Sequence, residues 1–136
     1  MAEVRLLRTG QAPLQFAGEL LAESKGKWHK GQDQNRYHDL SIYRTAAGTY
    51  VVGVAYRTCW QGEDDWDFAD TTTAAASVER LLRDAIELSL GRAIGYPPSP
   101  AYGDRQARML ASLRERYEGQ VSAVLEQHDD FAQRID

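Results

Sequence analysis

The segment RYHDLSIYRTAAGTYVVGVAYRTCW, residues 36–60, constrains the fold more than any other part of the chain. Two runs rich in β-branched and aromatic residues flank Ala46, Ala47 and Gly48. A three-residue loop ending in glycine suits a type I turn closed at positive φ, which glycine reaches at little steric cost. With Thr45 opposite Thr49, Arg44 pairs with Tyr50, Ile42 with Val52, Leu40 with Val54 and His38 with Tyr56. These form one face, with an aliphatic centre. The other face pairs Tyr43 with Val51, Ser41 with Gly53, Asp39 with Ala55 and Tyr37 with Arg57. The first face is therefore expected to meet helices and the second to stay at least partly open.

Upstream, EVRLLRT reads as a short strand. LQFAGELLAE alternates so that Leu14, Phe16, Leu20 and Ala22 share a side, with Gly18 marking a bulge or a close approach. Downstream, EDDWDFAD suits a short edge strand, with Trp66 and Phe68 alternating with Asp65 and Asp67. A threonine among residues 71–73 is expected to cap a helix over about 74–90, stopped near Gly91, with Val78, Leu81, Leu82, Ala85, Ile86 and Leu88 or Leu90 buried. AIGYPPSPAYG reads as a proline-rich turn, and Ser99-Pro100 opens a last helix. Its stripe of Leu110, Leu113, Tyr117, Val121, Val124, His128 and Phe131 carries it over about 100–134. At that length it either bends at Gly119 or runs out to a second copy of the chain, making Leu113, Tyr117 and Val124 candidates for a homodimer contact. Gln120 and Gln127 stand where a strict seam wants apolar residues.

The expected architecture is α+β: one domain over 1–136, strand-rich over 1–70 with an antiparallel sheet of four to five strands, and helical over 71–136. A chain of 136 residues buries roughly two thirds of its unfolded surface and needs no staples. The lone Cys59 excludes an internal disulfide, and neither a secretory segment nor an apolar run of spanning length stands out, so a soluble, cytoplasmic protein is expected. The net charge of −4 is divided as +3 over residues 1–60 and −7 over residues 61–136. Opposite signs of that kind attract across a fold, or mark a basic face for an anionic partner.

The chain carries no phosphate-binding glycine loop, dinucleotide fingerprint, serine elbow, paired zinc histidines or CxxC. These absences count against nucleotide hydrolysis, dehydrogenation, serine hydrolysis and structural zinc. Asp64, Asp65, Asp67 and Asp70 lack the glycine and bidentate glutamate of a calcium loop, Ala76 standing at the latter position. No metal ligand, cofactor or catalytic residue is assigned. A metal-free ribonuclease would need a base, an acid and cations around a phosphate, and His38, Arg36 and Arg44 are the residues for it. Strand alternation sends those three one way and Tyr37 and Tyr43 the other.

SKGKWHKGQDQN, residues 24–35, is long for a plain connector. Lys25, Lys27 and Lys30 face one acid, Asp33, and Arg36 and Tyr37 come next. The cations would draw a phosphate chain while Trp28 and Tyr37 stack on bases. Alternatively Trp28 folds back over the sheet end and the lysines keep the loop solvated. Tyr, Trp and Arg are also the types enriched at protein interfaces. The candidate partner-binding set is Lys25, Lys27, Trp28, Lys30, Arg36, Tyr37, Tyr43 and Arg57. The expected function is a non-catalytic binding or regulatory protein contacting an anionic (nucleic acid) or protein partner through residues 24–38 and the adjacent sheet face. The alternatives are the ribonuclease and an oligomeric scaffold built on the last helix; no membrane contact is expected.

Overall fold

A computed structural model describes residues 1–26, 36–59, 63–93, 103–132 and 135. Five strands, β1 (Ala2–Arg8), β2 (Gln11–Ser24), β3 (Arg36–Thr45), β4 (Tyr50–Thr58) and β5 (Trp66–Thr72), form one antiparallel sheet in chain order. A 3-10 turn at Ala75–Ser77 leads into α1 (Val78–Ala93), and after it come α2 (Gly103–Glu126) and a second 3-10 turn at Asp129–Phe131. The fold is thus α+β, as the sequence pattern implies. The β3–β4 register matches the expected one from Arg44↔Tyr50 to Tyr37↔Arg57. Gly48 adopts φ of 86°, and Thr45 N–H donates to the Thr49 carbonyl at 2.9 Å.

Both helices lie on the face that carries Leu40, Ile42, Val52 and Val54, all at most 3% exposed. From α1 come Val78, Leu82, Ala85 and Ile86, and from α2 Leu113, Tyr117, Val121 and Val124, each at most 1% exposed. Full burial of one such aliphatic side chain stabilises by roughly 1.5–3 kcal/mol. The α2 stripe is consumed inside the chain's own core, so Leu113, Tyr117 and Val124 are not available to a second copy. Gln120 and Gln127, the polar breaks in that stripe, bond backbone instead. Gln120 Nε2 donates to the His38 carbonyl at 2.8 Å, and Gln127 both donates to the Glu23 carbonyl and accepts from its N–H.

Several expected boundaries shift. The last helix runs unbroken through Gly119 and ends at Glu126, not near residue 134. His128 turns extended, and its Nδ1 accepts from Asp130 N–H at 3.1 Å, which starts the 3-10 turn. No threonine caps α1: Thr71 and Thr72 belong to β5, Thr72 Oγ1 accepts from Ala74 N–H, and a 3-10 turn supplies the entry. Gly91 does not stop α1, which continues to Ala93. Ser99 and Pro100 lie outside the described residues.

The largest correction concerns β2. A register shift between Leu20 and Ala22 turns Ala22 into the helix-side core, while Leu14 and Phe16 stay on the opposite face with Val4 and Leu6. The alternation does not run through the strand as its residue pattern suggests, because a bulge places two residues opposite one and flips the side chains beyond it to the other face. Gly18 is not the bulge. It is a close approach, where a Cβ would sit 2.9 Å from the Phe16 ring and 3.2 Å from the Arg44 carbonyl oxygen.

Bent in this way, the β1–β2 hairpin folds over the sheet face away from the helices. Thr9 N–H donates to the Asp67 carbonyl and Thr9 Oγ1 accepts from Asp67 N–H, both at 2.8 Å, and Leu6 lies over Gly53. The second face is thus partly roofed, more closed than its small and polar side chains suggest. Those side chains are small to make room: a Cβ on Gly53 would meet Leu6 Cδ1 at 3.1 Å and Ser41 Oγ at 2.8 Å. Among the described residues no helix is long and apolar enough to cross a membrane.

Candidate functional site

The roofed face gathers four residues of the expected partner-binding set. Lys25, exposed, comes directly after β2; Tyr37, Tyr43 and Arg57 alternate onto this face from β3 and β4, each half-buried. Tyr43 meets Phe16 of β2 edge-on, with ring centroids 5.4 Å apart and planes at 73°. Arg57 Nη2 donates to Asp67 Oδ1 at 2.8 Å, so the strand partner of Tyr37 is tied to the residue that anchors the hairpin tip. Gly26 N–H donates to Asp39 Oδ1 at 2.8 Å. A Cβ on Gly26 would stand 2.5 Å from the His38 carbonyl oxygen and 2.8 Å from Tyr37 Cβ, so only glycine lets the chain leave β2 pressed against β3. Lys27, Trp28 and Lys30 lie outside the described residues, as does Trp60.

Between hairpin and sheet lies a half-open cavity of about 290 Å³. Its roof is Leu6 of β1, its floor Ser41, Gly53 and Ala55, and its charged groups are Glu23, Lys25, Asp39 and Asp67, with Tyr43 lining it as well. A second depression of about 490 Å³ lies beside β5, between the hairpin tip and Leu88 of α1. Only the first holds members of the expected set.

Arg36 alternates to the helix face and is 6% exposed. It grips Glu63 through Nε and Nη2, and Glu63 Oε1 also accepts from Tyr56 Oη at 2.8 Å and Thr58 Oγ1 at 3.0 Å. Burial, then the bond to Glu63, raises the Tyr56 phenol and keeps it protonated. Arg36 is therefore a buried anchor for the chain entering β5, not a surface cation. Arg44, at the far end of β3, donates to Glu19 at 3.0 Å and to Asp130 at 2.5 Å, and Tyr50 Oη donates to the same Asp130 oxygen at 2.8 Å.

The ribonuclease trio is not assembled into one site. Arg36 and Arg44 are eight residues apart on one strand, about 26 Å at ~3.3 Å per residue. His38 lies between them, 1% exposed, its ring 4.9 Å from Tyr117 and 5.1 Å from Tyr56. Its Nε2 is 2.9 Å from Ser89 Oγ, whose hydroxyl points to the Ile86 carbonyl at 3.1 Å, which makes His38 Nε2 the donor. Burial first, then the nearby Arg116, holds the imidazole down to about 3, so it is neutral at ordinary pH and carries no proton to spare.

The acidic residues before and within β5 serve locally. Asp65 accepts from Thr58 N–H at 3.0 Å, Asp67 holds Arg57, and Asp70 accepts from Thr71 N–H at 2.8 Å. The β3–β4 pairing already sets Asp39 and Gly53 on this face; sequence reading missed Leu6 over Gly53, and Glu63, which answers Arg36 on the helix side. Gly53 carried a signal for the first, as a glycine amid β-branched neighbours, which often marks a close approach of another element. No family model, curated protein or solved structure matches the chain closely enough to lend it a role.

Proposed function

We propose that the chain is a non-catalytic binding or regulatory protein that contacts its partner through residues 24–38 and the neighbouring roofed face of the sheet. The observation that carries this reading is the convergence of Lys25, Tyr37, Tyr43 and Arg57 on the one sheet face that the helices leave uncovered. A buried, neutral His38 and two arginines at opposite strand ends favour binding over phosphoryl chemistry. A protein partner fits better than a nucleic acid. Arg36 and Arg57, both in the expected cationic set, are already held by Glu63 and Asp67, and cations so paired neutralise fewer phosphates and displace fewer of the counterions condensed on a nucleic acid. Half-buried tyrosines beside an arginine are the composition of a protein interface.

Photo-crosslinking tests the reading. A photoreactive residue replacing Tyr37 is expected to yield discrete, nuclease-resistant protein adducts in cells, with none from the same residue replacing Arg80 on the exposed side of α1. Equal labelling from both positions, or adducts that vanish with nuclease, sinks it. A salt titration supplies the second arm: tight nucleic-acid binding with a steep loss on raising salt would restore the polyanion account.

A further inference from the structure

We infer that the cavity under the β1–β2 hairpin is a binding site for a small zwitterion, a molecule with an ammonium and a carboxylate on an apolar body, as a free aliphatic amino acid has. The inference is separate from whatever macromolecule docks at the rim. At about 290 Å³ the space sits at the small end of ligand pockets, suited to a small metabolite and not to a peptide.

Its chemistry is two-part. Leu6 and Ala55 give apolar walls, closed over the sheet by the paired bonds of Thr9 with Asp67. At the β2 end stand Glu23 and Asp39 with Lys25, charges of both signs lining one cavity. Among the described residues Lys25 pairs with neither carboxylate, and Asp39 spends one oxygen on Gly26 N–H, leaving its second oxygen without a described partner. Asp67, the other carboxylate of the cavity, is taken by Arg57.

A plain amine would face Lys25, and a plain carboxylate would face Glu23 and Asp39. One ligand with both groups satisfies each sign: its ammonium donates to Asp39 and its carboxylate accepts from Lys25, with Ser41 and Tyr43 lining the same cavity. The bare Gly53 keeps the floor deep enough for the aliphatic body, since any side chain there would reach Leu6 and Ser41.

Amide chemical shifts of the intact chain supply the test, with L-leucine, 3-methylbutylamine and 4-methylpentanoate as probes. Leucine is expected to shift Ser41, Gly53 and Ala55 in a saturable way, with each one-charge analogue about ten-fold weaker or worse, because a site built for a polar group is left unpaired by the analogue lacking it. Asp39→Asn retains the acceptor for Gly26 and loses the charge. It should weaken leucine about ten-fold and remove its advantage over 4-methylpentanoate, while Lys25→Gln removes its advantage over the amine. No shift at millimolar leucine, equal binding of the three probes, or shifts confined to the helices overturns the inference. A failure of the crosslinking reading leaves these outcomes unaffected, since no macromolecule enters the measurement.

Discussion

His38 and Arg36 are two residues apart on β3 and both face the helices, yet the chain satisfies them by different means. Arg36 is answered by a carboxylate buried with it, Glu63, at 7% and 6% side-chain exposure. His38 stays neutral because burial strips its solvent, with Arg116 further discouraging a proton, while Ser89 Oγ and the Tyr56 and Tyr117 rings pack against it. Removing one member of a buried pair strands the other, so Glu63→Ala should cost roughly 3–5 kcal/mol in urea denaturation, while Arg36→Met with Glu63→Gln should recover much of it. For His38 the folded value of about 3 lies below the unfolded 6.5, so the unfolded state binds the proton first. Stability from this residue is complete above pH 6.5 and declines as pH falls toward 3, at about 1.4 kcal/mol per pH unit. Between pH 6.5 and about pH 5 the chain should lose about 2 kcal/mol more than His38→Gln does, the amide keeping a donor for Ser89. Parallel losses in the two proteins would show that His38 is not neutral when folded.

Among the elements, β2 decides the shape. Its first half pairs with β1, its second half with β3, and the shift between Leu20 and Ala22 lets the two halves face different ways. The β1–β2 hairpin is held at its tip by one residue's two bonds and at its middle by Leu6 on Gly53. Thr9→Val removes one of those bonds, and the Asp67 amide should then exchange hydrogen faster while the Ile42 amide keeps its protection. Gly53→Val should destabilise by about 1–3 kcal/mol and shift β1 resonances, since the added groups enter space that Leu6 and Ser41 fill. Gly48→Ala offers a contrast: nothing lies within 4 Å of its Cβ site, so its cost of about 1 kcal/mol comes from φ of 86° alone and should leave β1 undisturbed.

Across the whole molecule, the positive N-terminal half and negative C-terminal half attract directly. Arg36 with Glu63, Arg57 with Asp67 and Arg44 with Asp130 each join a cation from the first sixty residues to an acid from the rest. Among the described residues, three cations of the positive half are thus held within the fold and not displayed to a polyanion. The α2 stripe is likewise internal. Leu113→Ala should cost about 2–5 kcal/mol by opening a cavity, and its effect on the unfolding midpoint should not vary with protein concentration, as it would if Leu113 sealed a dimer.

Residue order alone states the local part of this fold: a β3–β4 ribbon with its register, the α1 and α2 stripes, and which side of β3 is apolar. Turn chemistry and side-chain periodicity act over a few residues, and Gly48, the β-branched runs and the helical spacing express them directly. Only the packed chain decides that β2 bends, that its hairpin roofs the face left free by the helices, and that Glu63 answers Arg36. A bulge shifts register by one residue without a composition that announces it, and a buried ion pair joins positions 27 apart in the chain, where no spacing rule reaches. The cavity depends on that bend: its roof and floor come from β1 and from β3 and β4, which meet only because the sheet folds back on itself.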